Sequence, residues 1–218
     1  MNNLFAVYKP KGPSSNQMLN KIRKLSGTRK VGHAGTLDPL ASGVLVVGIG
    51  REATKKLRYI MEEEKEYIGT VKLGETSETD DEEGIKSKVE SHKVESHKIK
   101  KVIEKFQGKI MQVPPVYSAV KVKGKEAYKR ARKGENVEMA PREVEIKEIE
   151  ILEYKWPYLK IKVVCGSGTY IRSLARDIGE RLGVGGYLAD LERIRVGDFN
   201  KKDAVCEDGL AEFLEMTK

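Results

Sequence analysis

Two neighbouring segments in the second half of the chain alternate apolar and polar residues, and this pattern constrains the fold most. They are REVEIKEIEILEY, which starts at Arg142, and YLKIKVVC, which ends at Cys165. A period of two is typical of half-buried strands, and the short gap between the segments predicts an antiparallel pair. The same reasoning predicts further strands at Leu4–Tyr8, Gly43–Ile49, Lys65–Leu73 and Tyr187–Val196.

Helical spacing of apolar residues occurs between these predicted strands. One helix is expected to begin at a capping serine, Ser14 or Ser15, and to end at Gly27; another is expected from Thr169 to Leu182. Shorter helices are predicted at Ile99–Phe106, Lys123–Gly134 and Leu210–Leu214. Helices and strands that mix without a β-α-β rhythm predict an α+β fold with a largely antiparallel mixed sheet flanked by helices. We expect residues 1-218 to form one domain.

Residues 75–98 have the least regular sequence. They begin with an acidic run and continue with the unit VESHK, which occurs at 89–93 and again at 94–98. A period of five fits neither a helix nor a strand, so an exposed connection is predicted. His92 and His97 belong to this repeat, and duplication within an exposed loop accounts for them better than a metal site does. The acidic run lacks the EF-hand order of ligands and glycine, and we predict no metal and no cofactor.

Charge narrows the classes of partner that the protein meets. Lys and Arg outnumber Asp and Glu by 41 to 33, which gives a net charge of +8 and a pI of about 9.2. A basic protein tends to bind polyanions, most commonly nucleic acid. No apolar stretch is long enough to cross a bilayer, and no signal peptide is visible. Because Cys165 and Cys206 suggest no disulfide framework, a soluble cytoplasmic protein is expected.

The segment GHAGTLDPLASGVL at residues 32–45 carries the chemistry. It is a glycine-rich loop with a carboxylate, Asp38, and it leads directly into a predicted buried strand. Pro39 restricts Asp38 to extended backbone conformations, which holds the carboxylate on a stiff stretch of chain. An isolated Asp-Pro pair is more often a simple turn in which the aspartate accepts hydrogen bonds from nearby amides.

Five segments in order resemble the motifs of pseudouridine synthases, specifically the bacterial tRNA pseudouridine-55 synthase (TruB) family. The segments are YKPKGPSS at 8–15, GHAGTLDPLASGVL at 32–45, EKEYIGTVKLG at 64–74, VPPVYSAVKVKGKEAYKRARKG at 113–134 and CGSGTYIRSLARDIGERLG at 165–183. The resemblance implies the pseudouridine synthase catalytic fold and an isomerase that converts the T-loop uridine of tRNA, at position 55, to pseudouridine without a cofactor. Many members carry a C-terminal RNA-binding domain (PUA-type) after the catalytic domain, and we expect residues 1-218 to contain no such domain.

The resemblance also assigns roles to residues. Asp38 corresponds to the catalytic aspartate, which acts either as a nucleophile or as a base, and Arg172 to the arginine that pairs with it. The other substrate-binding positions that it implies are Tyr67, Tyr170, Leu191, His33, Lys9 and Lys55. The target uridine must be flipped out of the folded loop, and His33 would help to fill the space left behind.

A basic cluster lies in the segment that resembles the RNA-gripping insertion, at roughly 115-143. We expect it to contact the RNA backbone through Lys121, Lys123, Lys129, Arg130 and Arg132. The expected partner is the T-arm of tRNA, with no membrane, no obligatory protein partner and a monomeric enzyme. Two alternatives stay open: a guide-RNA-dependent pseudouridine synthase, and a non-catalytic protein that binds or folds tRNA on the same scaffold.

Overall fold

The structure is a computed structural model that describes residues 3–216. The helices are α1 Ser15–Ser26, α2 Gly50–Glu62, α3 Ser96–Glu104, α4 Ala127–Ala131, α5 Ile171–Arg181 and α6 Leu210–Met216. The strands are β1 Leu4–Lys9, β2 Val31–His33, β3 Ala41–Ile49, β4 Lys65–Leu73, β5 Glu75–Ser77, β6 Lys86–Lys88, β7 Gly108–Gln112, β8 Lys121–Val122, β9 Lys125–Glu126, β10 Arg142–Lys155, β11 Tyr158–Cys165, β12 Gly186–Val196 and β13 Phe199–Asn200. None of these helices is long and apolar enough to span a membrane.

The alternating segments form the antiparallel pair that the sequence predicts. Strands β10 and β11 pair with Ile151 opposite Ile161, and β10 also pairs antiparallel with β7. Apolar residues of β11 such as Leu159 and Ile161 are fully buried, while the polar residues between them are more exposed. The period of two in the sequence therefore corresponds to a sheet with one buried face.

The described residues form two compact units. The first comprises residues up to Ile68 and from Leu191 onward, and the second runs from Gly69 to Asp190. In the first unit β3 pairs antiparallel with β1 and β2 and parallel with β12, which also pairs with β13. Strand β4 begins in the first unit and continues into the second, where the strand order is β4-β11-β10-β7. The predicted α+β fold with a largely antiparallel sheet flanked by helices is confirmed.

Helix α1 shows how local chemistry fixes an element boundary. The Ser14 hydroxyl accepts a hydrogen bond from the Gln17 amide at 3.2 Å, and the Gln17 side chain accepts one from the Ser14 amide at 2.7 Å. This capping box satisfies two amides that the first helical turn leaves unpaired. At the other end Gly27 adopts a left-handed conformation with φ of 69°, which ends the helix as predicted.

Residues 75–98 are largely exposed or half-buried, as predicted, but part of the segment is regular and two of its residues are buried. Strands β5 and β6 pair antiparallel, and Asp81 between them is only 2% exposed. The second VESHK copy contributes a buried Val94, and α3 begins inside it at Ser96. Polar residues can be buried here because their partners come from elsewhere in the second unit: the Tyr154 hydroxyl, for example, donates to the Val94 carbonyl at 2.6 Å.

The basic helix predicted at Lys123–Gly134 is shorter than expected. Its first residues form a hairpin of β8 and β9, because Lys123 and Gly124 take positive φ angles of 53° and 80° at the turn. Two successive residues with positive φ are the hallmark of a tight hairpin turn. The helix itself, α4, covers only Ala127–Ala131.

Candidate active site

The loop between β2 and β3, residues 34–40, carries Asp38 in the first unit. Its backbone is tied down on both sides of the aspartate. The Gly12 amide donates to the Pro39 carbonyl at 2.8 Å, and the Ala41 amide donates to the Asp38 carbonyl at 3.1 Å. Because the flanking backbone is held, the half-buried Asp38 side chain starts from a defined position.

Helix α1 anchors the same loop through a single hydroxyl. Ser15, buried in the first turn of α1, donates to the Leu37 carbonyl and accepts from the Leu37 amide, both at 2.9 Å. Leu37 is itself buried, next to Asp38 in the sequence. The motif that begins at Tyr8 therefore supports the motif that contains the aspartate, although the two are separated in sequence.

Lys9, at the end of β1, is fully buried. Its ammonium donates to the carbonyls of Pro10 and Pro13, each at 2.8 Å, and so shapes the turn that precedes α1. Burial lowers the pKa of Lys9 to about 8, the Asp38 charge opposes that shift, and the Arg193 charge adds to it. The predicted basic residue thus lies within electrostatic reach of the aspartate.

Arg193 in β12 was not singled out in the sequence, yet it is the largest fully buried side chain in the described residues. Its Nε donates to the Val44 carbonyl at 2.8 Å and its Nη2 to the Gly35 carbonyl at 3.0 Å. A sequence signal existed: in a strand, residues two apart lie on the same face. Since Leu191 was expected to line the pocket, Arg193 should have been expected on that face too.

Tyr67 and Leu191, two of the predicted pocket residues, are buried in the first unit. Leu191 pairs with Ala41, the first residue of β3, so it lies where the Asp38 loop ends. His33 precedes the loop and is half-buried; burial and then the Arg193 charge lower its pKa. A neutral imidazole can stack on a base, as the prediction for His33 requires.

Lys55 lies on the exposed face of α2. Its ammonium forms an ion pair with Glu52 at 3.0 Å, and both side chains are largely exposed. An exposed pair of this kind contributes little to stability, so the lysine remains available to a larger polyanion. Its role in substrate binding stays a prediction.

Arg172 lies in the first turn of α5 in the second unit and is buried. Its Nη1 forms an ion pair with Asp81 at 3.2 Å, and its Nη2 donates to the Tyr117 carbonyl at 2.9 Å. Asp81 also accepts the Glu83 amide at 3.0 Å. These contacts fix the rotamer of Arg172. Its predicted pairing with Asp38, which belongs to the first unit, stays a prediction.

Asp81 was missed in the sequence because nothing distinguishes it from its acidic neighbours. The adjacent Asp80 takes a positive φ of 61° and pairs with Arg176 of α5 at 2.7 Å. Burial raises the pKa of Asp80 to about 6, although Arg176 and Arg172 act in the opposite direction. Only the arrival of two arginines from α5 turns this acidic run into a buried ion-pair cluster.

Tyr170 is held through its backbone. The Gln112 amide group donates to the Tyr170 carbonyl at 3.1 Å, and the Tyr170 amide donates to the Gln112 side-chain oxygen at 2.8 Å. Gln112 is 1% exposed and is the last residue of β7. The Tyr170 side chain packs against a small core formed by Val120, Ala127, Val137 and Met139. The predicted pocket residue therefore contacts the predicted insertion.

The insertion presents most of its basic residues to solvent. Lys121, Lys123, Lys129 and Arg132 are exposed, whereas Arg130 is half-buried. Lys129 pairs with Glu126 at 3.1 Å, and Arg130 pairs with Glu135 at 2.6 Å. The Arg132 guanidinium lies 5.5 Å from the centre of the Tyr128 ring. The arrangement is a basic surface interleaved with an aromatic side chain, which suits a nucleic-acid backbone. Within residues 3–216, no cluster of His, Cys, Asp and Glu could hold a metal ion.

Two family models match the sequence. Residues 23–171 match the model described as TruB family pseudouridylate synthase, N-terminal domain. Residues 172–218 match the one described as tRNA pseudouridylate synthase B, C-terminal domain. Together the two models cover four of the five motifs that resemble the family; only the motif at 8–15 lies outside them.

Curated relatives are similar over almost the whole chain. A protein of Parabacteroides distasonis is 46% identical over 214 residues, which is 95% of this chain and 91% of the relative. A protein of Francisella philomiragia is 44% identical over 212 residues, which is 96% of this chain and 70% of the relative. Both are called tRNA pseudouridine synthase B.

A solved structure shares the fold. The first chain matched comes from a Cbf5-Nop10-Gar1 complex, with a TM-score of 0.76 and 31% identity. The match covers 96% of this chain and 54% of the other, so this chain spans about half the length of that protein.

Proposed function

Since the chain belongs to the TruB family of pseudouridylate synthases, we propose that it isomerises the T-loop uridine at position 55 of tRNA to pseudouridine. The observation that carries this proposal is the loop around Asp38. Its sequence resembles the catalytic motif of the family, and its backbone is fixed by bonds from Gly12 and Ser15. The reaction requires a carboxylate that is oriented precisely toward the substrate, and a fixed loop provides that orientation.

The reaction exchanges one bond between sugar and base for another. The bond from ribose C1′ to uracil N1 breaks, the uracil turns and a bond from C1′ to C5 forms. The hydrogen on C5 leaves as a proton and N1 takes up a proton, so the product is an isomer of the substrate. Asp38 acts on the sugar or base as a nucleophile, or removes a proton as a base. Both roles require the ionised carboxylate.

Base flipping brings the uridine to Asp38, and the predicted pocket residues receive it. Tyr67 stacks on the extruded uracil, with Leu191 and Tyr170 lining the pocket. Arg172 supplies a guanidinium to the site, and its ion pair with Asp81 fixes the orientation of that guanidinium. We propose that Lys9, His33 and Lys55 assist at the edge of the site.

The insertion binds the T-arm by contacting phosphates. Its exposed lysines and arginines supply the charge, and the small core around Val120 and Ala127 holds them on a folded platform. We propose that the enzyme works as a monomer without a protein partner, which light scattering of the free and tRNA-bound protein would check.

The decisive experiment compares the parent protein with Asp38→Asn on a tRNA transcript tritiated at uracil C5. Asparagine is nearly isosteric, and the Asp38 backbone bond to Ala41 is unaffected by the change. We expect the parent to release tritium and the variant to release it at least about 100-fold more slowly while still binding tRNA. A parent that bound tRNA without releasing tritium would instead favour a non-catalytic tRNA-binding protein.

A further inference from the structure

The guanidinium of Arg193 bridges two points of the polypeptide that enclose the Asp38 loop. One bond reaches Gly35, before the aspartate, and the other reaches Val44, after it. Within residues 3–216 both hydrogen-bond acceptors are backbone carbonyls, and Arg193 is 1% exposed. A single side chain in the first unit therefore connects the start of the loop, at Gly35, to the strand that follows it, at Val44.

The backbone of Arg193 is locked against the same loop. Strand β12 pairs in parallel with β3, and Arg193 lies opposite Gly43. A Cβ atom at Gly43 would lie 2.1 Å from the Arg193 carbonyl oxygen, so only glycine allows the two strands to approach this closely. One residue of the neighbouring strand thus contacts the loop at residue 35 and the strand that follows the loop at residues 43 and 44.

Stability alone is a poor reason to bury a guanidinium in this way. Removing an ion from water costs several kcal/mol, and two carbonyl groups compensate less well than a carboxylate would. An apolar side chain of similar length would fill the space without that cost. A second buried cation, Lys9, lies within electrostatic reach of the arginine, and this like charge adds to the cost. The two directed bonds to the loop are what an apolar residue could not supply.

We propose that Arg193 is a positioning residue for the isomerisation: by bonding Gly35 in the loop and Val44 in β3 it clamps the segment that carries Asp38 and thereby aims the Asp38 carboxylate. The inference rests on the proposed function. Arg193 touches the loop rather than the reacting atoms, so its substitution should affect the chemical step and leave the affinity for tRNA almost unchanged.

The test uses Arg193→Lys, which keeps the positive charge but cannot bond Gly35 and Val44 with two fixed donors. The matched control is Arg195→Lys on the same strand, where the guanidinium pairs with Glu64 and Glu66 instead. Tritium release would be measured in single turnover with enzyme in excess, alongside the dissociation constant for tRNA and the melting temperature.

We expect Arg193→Lys to slow the single-turnover rate by about tenfold to a hundredfold, because small misplacements of a catalytic group cost this much. Its tRNA dissociation constant should stay near that of the parent, and Arg195→Lys should react at the parental rate. A normal rate with a lowered melting temperature would show that Arg193 serves only the fold, and would overturn the inference.

A second variant keeps the test decisive if Arg193→Lys folds poorly. Gly35→Ala leaves the buried arginine in place but strains the other end of the clamp, since Gly35 has φ of 88° and the new Cβ would lie 3.4 Å from Nη1 of Arg193. It should also slow the single-turnover rate. In the double variant the two effects should be less than additive, because both act through one contact. Full additivity would contradict the clamp.

Failure of the inference is distinguishable from failure of the proposed function. A parent protein that released no tritium would refute the proposed function and the inference with it. A parent that reacted normally, with Arg193→Lys and Gly35→Ala reacting equally fast, would refute only the role of Arg193.

Discussion

At the scale of single residues, burial of charged side chains is the main feature of the first unit. Lys9 and Arg193 are both fully enclosed, and backbone carbonyls accept their hydrogen bonds. A buried ammonium is held in its charged form less easily than one in water, which makes the stability of the protein depend on pH.

The pKa of Lys9 gives this dependence a sign. Folding lowers it from 10.5 to about 8, so between these values the unfolded chain binds more protons than the folded one. Stability should therefore rise with pH in this window. Relative to Lys9→Met, which does not titrate, the parent should gain about 2 kcal/mol of unfolding free energy between about pH 7 and about pH 10.

Urea unfolding at a series of pH values would measure this gain. The matched control is Lys56→Met, which removes an exposed lysine of α2. The parent and the control should show the same pH dependence. If the difference between the parent and Lys9→Met did not change with pH, Lys9 would titrate as an ordinary exposed lysine and its assigned environment would be wrong.

At the scale of elements, α5 organises the second unit by bonding to segments that are remote in sequence. The Ser173 hydroxyl and Arg176 both donate to the Val113 carbonyl, at 2.8 and 3.0 Å, and Arg172 donates to Tyr117. With the reciprocal pair of Gln112 and Tyr170, these bonds attach the start of the insertion to the start of the helix.

Gln112 offers the cleanest test of this attachment. Replacing it by leucine keeps the volume but removes the partner of the Tyr170 amide, while the Tyr170 carbonyl still accepts from the Leu174 amide at 3.0 Å. Because buried backbone groups are costly to leave unpaired, we expect the free energy of unfolding in urea to fall by about 1–3 kcal/mol. Gln107→Leu, at an exposed position five residues earlier, is the control and should change it by less than about 0.5 kcal/mol. Equal losses for the two variants would contradict the assigned role.

At the scale of the whole molecule, the net charge of +8 attracts RNA, but its placement decides which residues bind. Charge reversal at Lys129 and Arg130 would also break their ion pairs with Glu126 and Glu135, so these two residues are poor reporters of RNA contact. Lys123 and Arg132 are exposed on the same insertion and better suited.

We expect Lys123→Gln with Arg132→Gln to weaken tRNA binding and to reduce its dependence on salt. Each lost phosphate contact should reduce the slope of log affinity against log salt concentration by about 0.7–0.9. Lys21→Gln with Lys109→Gln removes the same charge from residues in exposed ion pairs with Glu207 and Glu143, and serves as the control. If the salt-dependence slope of the Lys123→Gln, Arg132→Gln double variant equalled that of the parent, the RNA would contact other residues.

Local sequence patterns were sufficient to predict a helix or strand where the residues that stabilise it are close together in the sequence. The alternation in β10 and β11, the capping of α1 by Ser14 and the spacing of apolar residues in α5 all predicted the elements that form. Five motifs in order, the one around Asp38 among them, also identified the family from the sequence. These predictions succeed because period, capping and turn chemistry act over a few residues.

Only the tertiary structure decided which polar residues are buried. Asp81 pairs with Arg172, 91 positions away, and Arg193 reaches Gly35, 158 positions away. No local pattern encodes such a pair, because the energy of each partner depends on a group that folding brings from elsewhere. The sequence by itself thus determined the family, the proposed catalytic carboxylate and most of the long elements, although not α2. The folded chain determined what holds that carboxylate's loop in place.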